Sequence, residues 1–152
     1  MTWTLRFHGV GNASATDLGS PMATIERDGA PWLTIDCGGE GLSALLAHYG
    51  EPPRALFITH VHLDHVGGFE RLFVSEYFDP ARRGRMPLYV PAPVVPLLHQ
   101  RVGAYPNVLA EGGANFWALV CGAQCENITA THRKRLKNQA QYFFQQLVQI
   151  KN

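Results

Sequence analysis

A mixed α/β fold follows from three observations on this 152-residue sequence. Short strand-like runs alternate with segments of helical period. An Asp-Gly hairpin signal opens the chain, and a wholly apolar run then delivers it into a dense group of histidines. With 46% apolar residues the chain can bury the core of one domain, and a formal charge of +1 removes the general electrostatic argument for nucleic acid or an anionic membrane as partner.

Leu5 and Phe7 alternate with polar neighbours as in a half-buried strand, which Gly9-Val10-Gly11-Asn12 ends. Met22–Glu26 and Trp32–Ile35 read as two further strands. The step Asp28-Gly29 between them marks a hairpin, so the fold starts antiparallel. Asp36-Cys37-Gly38-Gly39 closes that pair. Leu42, Leu45, Leu46 and Tyr49 then follow helical spacing until Gly50, and Pro52-Pro53 forbid continuation. Ala55-Leu56-Phe57-Ile58 has the continuous apolar character of a strand buried on both faces. Val66-Gly67-Gly68-Phe69 predicts a tight turn opening a short helix through Phe73. Pro80 to Pro87 is a basic loop, Leu88-Tyr89-Val90 a strand, and Pro93 to Val102 a helix.

The run Thr59-His60-Val61-His62-Leu63-Asp64-His65 carries the chemistry. Neutral imidazole and ionised carboxylate are the donors that zinc and similar cations take, and a cluster this dense is costly to bury without compensation. Residues two apart on an extended chain point the same way, so His60 and His62 form one claw; Asp64 and His65 follow where the chain turns. The spacing differs from the helical HExxH arrangement. His8, His48 and His99 stand alone and read as structural or surface residues, and Cys37 as a small buried side chain. Three cysteines without a CxxC framework, no basic apolar leader and no long apolar run point to a reducing cytoplasm and no membrane.

On His60, His62, Asp64 and His65, which match HxHxDH, the chain resembles the metallo-β-lactamase superfamily. Leu5-Arg6-Phe7-His8-Gly9-Val10-Gly11 is similar to the first strand and glycine turn of that family, Leu33 to Gly38 to its strand ending in D-x-G, and Gly67-Gly68 and Pro87 to Pro91 also fit. The order is most similar to the branch of ribonuclease Z and related phosphodiesterases. The resemblance implies an αβ/βα sandwich whose N-terminal half is the part this chain completes. Residues 1–114 would form that portion and 115–152 a divergent segment of the same single domain.

The resemblance further implies two zinc ions, with Mn2+ or Fe2+ as alternatives, and a metal-activated water that hydrolyses phosphodiester or other ester bonds. His60 and His62 would serve the first ion. Asp64, the expected catalytic residue, would ligate the second and orient the water, with His65 beside it. The family supplies a further His, a bridging Asp and a final His downstream. Here no Asp follows Asp79, and His132, after the strand-like Ile128 to Thr131, is the downstream ligand candidate although Arg133-Lys134-Arg135 set three cations beside it.

Two functions follow: a zinc hydrolase acting on a small-molecule or nucleic-acid ester, or a shortened, catalytically impaired metal-binding or interaction module of the same fold. Arg82, Arg83 and Arg85 are candidates for an anionic substrate, a solvated loop being the plainer reading. A half sandwich would also expose an apolar face, which predicts a homodimer or a poorly soluble chain.

Beyond Asn115, glutamine, asparagine and lysine replace the upstream proline and aspartate. Ala118–Val120 and Ile128 read as short strands, and Tyr142, Phe143, Phe144, Leu147, Val148 and Ile150 as an amphipathic helix.

Overall fold

The computed structural model describes residues 1–104. The strands expected at Ala118–Val120 and Ile128, the terminal helix, His132 and the boundary at residue 115 lie outside the described residues.

Five strands form one sheet in the order β1-β2-β3-β4-β5. β1 (Trp3–Gly9), β2 (Met22–Arg27) and β3 (Ala30–Ile35) are antiparallel. β4 (Leu56–Phe57) and β5 (Leu88–Tyr89) continue the sheet in parallel. The switch follows from the connections: Asp28-Gly29 spans two residues, whereas β3 reaches β4 through the crossover helix α1 (Gly39–Tyr49). Asp28 and Gly29 have φ of 51° and 79°, the positive values a two-residue hairpin turn with matched twist requires.

β3 begins two residues earlier than predicted and carries Pro31, tolerated because the register shifts between Ile25 and Glu26 and leaves Trp32 as an extra residue. α1 ends as expected on Gly50 at φ 73°, whose N–H donates to the Leu46 carbonyl. β4 is shorter than the apolar run. Leu56 and Ile58 are fully buried while Phe57 is only partly so.

After β4 come α2 (Leu63–Val66) and α3 (Phe69–Tyr77), then β5 and α4 (Val95–Val102). α4 starts later than Pro93 and places Pro96 in its first turn, where the missing N–H costs no hydrogen bond. Leu42 and Leu45 of α1, Leu56 of β4, Phe69, Leu72 and Phe73 of α3, and Leu98 and Val102 of α4 form one buried cluster that anchors the helices on the sheet.

On the helix-covered face α1 meets a polar network. Tyr49 Oη donates to Glu26 Oε1 at 2.6 Å, Arg6 pairs with the same oxygen at 2.7 Å, and His8 Nε2 lies 2.8 Å from Thr24 Oγ1. The opposite face is apolar. Cross-strand register aligns Leu5, Ile25 and Leu33, and next to them Phe7, Ala23 and Ile35. Its β1 edge is open, Leu5 being 39% and Phe7 62% exposed.

His8 should make the stability of the fold depend on pH. Burial, then the charges of His48 and Arg6, hold its pKa below the ordinary 6.5, against a smaller opposing pull from Glu26. The unfolded chain therefore binds this proton more readily. Its contribution is complete above pH 6.5 and is lost as pH falls towards the lowered folded value. Denaturant titrations at pH 7.5 and about pH 5.5 should show a smaller acid loss for His8→Gln than for the parent; equal losses would refute the assignment.

Candidate metal centre

Sequence neighbours bring His60, His62, Asp64 and His65 to one place, but tertiary hydrogen bonds orient them. Thr59 and His60 leave the end of β4 in irregular extended chain. His62 then occupies the cap position before α2, with φ −66° and ψ 148°, and Asp64 and His65 fall in the single turn that follows. The His60 ring lies 4.7 Å from His62 and 3.9 Å from His65 between centroids. His65 Nε2 is 3.6 Å from Asp64 Oδ2. All four predicted residues thus share one patch, His60 touching both other rings rather than His62 alone.

Asp36, at the end of β3, organises this patch. Its φ of 62° is left-handed, a conformation aspartate tolerates better than most residues, and it turns the carboxylate away from the strand. Asp36 Oδ1 accepts from the Thr59 N–H at 2.8 Å, and Asp36 Oδ2 lies 2.8 Å from His65 Nδ1. The Thr59 hydroxyl donates to the same carboxylate at 2.8–2.9 Å and lies 2.9 Å from His60 Nδ1. A hydroxyl has one proton. With that proton donated in a hydrogen bond to the Asp36 carboxylate, Thr59 Oγ1 accepts from His60 Nδ1–H, while His65 Nδ1–H donates directly to Asp36. One carboxylate therefore leaves the Nε2 lone pairs of both histidines free, the orienting pattern that supports metal-bound imidazoles.

The main chain reinforces this placement. Cys37 N–H donates to the His65 carbonyl at 2.7 Å and Gly68 N–H to the Cys37 carbonyl at 2.8 Å, stitching the end of β3 to both sides of α2. Cys37 itself is fully buried. Burial, then the neighbouring Asp36 charge, pushes its thiol pKa far up, so it is a neutral packing residue, as expected from sequence.

The donor chemistry fits a divalent cation of the zinc type. Burial, followed by the His65 and His62 rings, holds the His60 pKa below the usual imidazole range, favouring the neutral form that ligates. Among the described residues no three His, Cys, Asp or Glu side chains stand ready as a closed ligand set, and the His60 ring packs on those of His62 and His65.

Beside the patch opens a cleft of about 920 Å3, with Asn12, Ser14, Glu40, His62, Asp64 and Arg101 among its lining residues. Asn12, Ala13, Ser14 and Ser20 bring the loop after β1 into its lining. Neither Asp36 nor Arg101 stood out in the sequence as a site residue. For Asp36 the usable signal was a carboxylate at a strand end before two glycines; Arg101 offered none. The arginine loop is engaged elsewhere: Arg82 pairs with Glu76 at 2.7 Å and Arg83 stacks on Tyr77 at 3.9 Å. The rings of His8 and His48 both pack on Tyr49.

Comparison with known proteins agrees with this architecture. A family model described as Anti-Pycsar protein Apyc1 matches residues 3–112. The chain belongs to this Apyc1 family. It is 40% identical over 84 residues to the Anti-Pycsar protein Apyc1 of Saccharibacillus brassicae, covering 52% of this chain and 33% of that protein. It is 30% identical over 103 residues to ribonuclease Z of Deinococcus radiodurans, covering 60% and 29% respectively.

Two solved structures share the fold. A diphosphatase of the PhnP family aligns with TM-score 0.53 and 22% identity over 69% of this chain and 47% of that one. The metallo-β-lactamase fold protein YhfI from Bacillus subtilis aligns with TM-score 0.54 and 19% identity over 64% and 42%. The Apyc1-family chain thus has the metallo-β-lactamase fold and spans about a third of the length of these curated relatives and less than half of these solved neighbours.

Proposed function

We propose that this chain carries the metal-binding half of a zinc-dependent hydrolase acting on phosphodiester or related ester bonds. The observation that carries the reading is the Asp36 network, which leaves the Nε2 atoms of His60 and His65 available next to His62 and Asp64. A carboxylate that orients one histidine directly and a second through a threonine hydroxyl is the arrangement that supports metal-bound imidazoles. Hydrolysis of phosphate esters is supported by relatives whose names are ribonuclease Z and diphosphatase.

His60, His62, Asp64 and His65 would hold the ion. A bound zinc supplies Lewis acidity, lowering the pKa of water and drawing charge from an attacked phosphoryl oxygen. Asp36 keeps the His65 ring oriented, Thr59 passes the same constraint to His60, and Asp64 is the carboxylate on the cleft side able to orient or receive a proton. The walls of the cleft restrict where an ester can lie.

The test combines composition and turnover. Zinc-loaded chain should retain about one to two ions and cleave bis(4-nitrophenyl) phosphate, and His62→Ala should lower turnover by about 100-fold or more. Zinc retention without turnover would favour a catalytically impaired metal-binding module. Loss of both would overturn the metal assignment.

A further inference from the structure

We propose that Arg101 of α4 binds the phosphoryl group of an anionic ester in the cleft beside His62 and Asp64, and so selects phosphate esters over uncharged ones. The proposal deepens the hydrolase reading and rests on it for the identity of the ester. Its physical basis is the distribution of charge around the cleft.

The volume of about 920 Å3 is in the range of small-molecule sites. Two carboxylates face this space, Asp64 next to the histidines and Glu40 at the start of α1. Glu40 stays ionised because its own backbone N–H and the Ser20 side chain hold its pKa below the usual range. Such a wall repels an anion unless a cation offsets it. Arg101 is the only cation among the described residues that line the cleft. It is exposed and has no carboxylate partner among the described residues.

The other arginines with assigned contacts are committed. Arg6 holds Glu26, Arg54 holds Glu51, Arg71 donates to Ser43 Oγ, Arg82 holds Glu76, and Arg83 lies on Tyr77. Among the described residues Arg101 has no ion pair or stacking contact of that kind, which leaves its guanidinium for a ligand. A guanidinium is also the side chain best matched to phosphate, since its planar fork can give two parallel hydrogen bonds to phosphoryl oxygens. The competing account is local: a cation in the last turn of α4 interacts favourably with the helix dipole whether or not a ligand binds.

These accounts separate by titration and by kinetics. The full zinc-loaded chain is titrated with inorganic phosphate, alongside Arg101→Gln, Arg101→Lys and Glu40→Gln. Arg101→Gln should weaken phosphate binding by about 10- to 100-fold, and Arg101→Lys by less. Glu40→Gln should tighten it by about 3- to 10-fold, because it removes the opposing charge. In parallel, the preference for bis(4-nitrophenyl) phosphate over 4-nitrophenyl acetate should fall by about tenfold or more in Arg101→Gln. Unchanged phosphate affinity in Arg101→Gln, with thermal stability lowered, would assign the residue to the helix terminus and overturn the proposal. Absence of turnover in the parent chain would defeat the hydrolase reading alone, since the phosphate titrations still decide the role of Arg101.

Discussion

The variant Asp36→Asn should bind zinc about 10- to 100-fold more weakly than the parent while unfolding at nearly the same temperature. The asparagine has the same shape and also tolerates the left-handed backbone found here at φ 62°. Its carbonyl oxygen can still accept from Thr59 N–H and Oγ–H, which now converge on the aspartate at 2.8–2.9 Å. Its amide nitrogen, however, has to face His65 Nδ1, where an acceptor stands today at 2.8 Å. A donor there forces Nδ1 to accept and moves the His65 proton to Nε2, the atom needed for the metal.

The variant thus changes a tautomer with little change in packing. Isothermal titration with zinc, beside a thermal melt of the metal-free chain, checks both halves of the expectation. Asp36→Ala would be a poorer test. It also removes the acceptor of the Thr59 N–H and hydroxyl, and so mixes folding with binding.

A second large effect lies at Gly38. A methyl group there would strike the Ser20 side chain and the carbonyl oxygen of Asp64. Neither can retreat freely. Ser20 is buried and its Oγ accepts from Gly41 N–H at 3.0 Å, while the Asp64 carbonyl belongs to the turn that carries the candidate ligands. Gly38→Ala should therefore cost about 1–3 kcal/mol or more and weaken metal binding as well, by displacing α2 from β3. Gly39→Ala is the matched control, because a Cβ at Gly39 meets nothing within 4 Å and the residue opens α1. It should be neutral or stabilising by up to about 1 kcal/mol. Denaturant midpoints for the two variants give the comparison, and similar losses in both would refute the steric argument.

The Gly38 and Gly39 pair shows where sequence reasoning stops. Both glycines follow the end of β3 and look equivalent on paper. Only the approach of residues 18 positions upstream and 26 downstream makes one of them necessary. Arg82 is a similar case. Its charge was visible, but the buried Glu76 that claims it became apparent only once α3 and the following loop were in place. The hairpin at Asp28-Gly29, the Gly50 stop of α1 and the donor run from His60 to His65 were all legible, since each depends on residues within a few positions of one another.

The sequence by itself determined the donors, because His60, His62, Asp64 and His65 lie within six positions that run from irregular chain into one helical turn and so stay together whatever surrounds them. It also determined the fold class, through the order of hairpin, crossover helix and apolar strand. The tertiary structure alone decided how those donors are aimed. Parallel pairing of β3 with β4 sets Asp36 beside Thr59 and His65, at separations of 23 and 29 residues, and the proton arrangement follows from that contact. It likewise decided that Arg101, and not the arginine loop, faces the cleft. Local periodicity sets which side chains share a face, whereas hydrogen-bond direction and charge pairing act over a few ångströms in space and leave no regular trace along the chain.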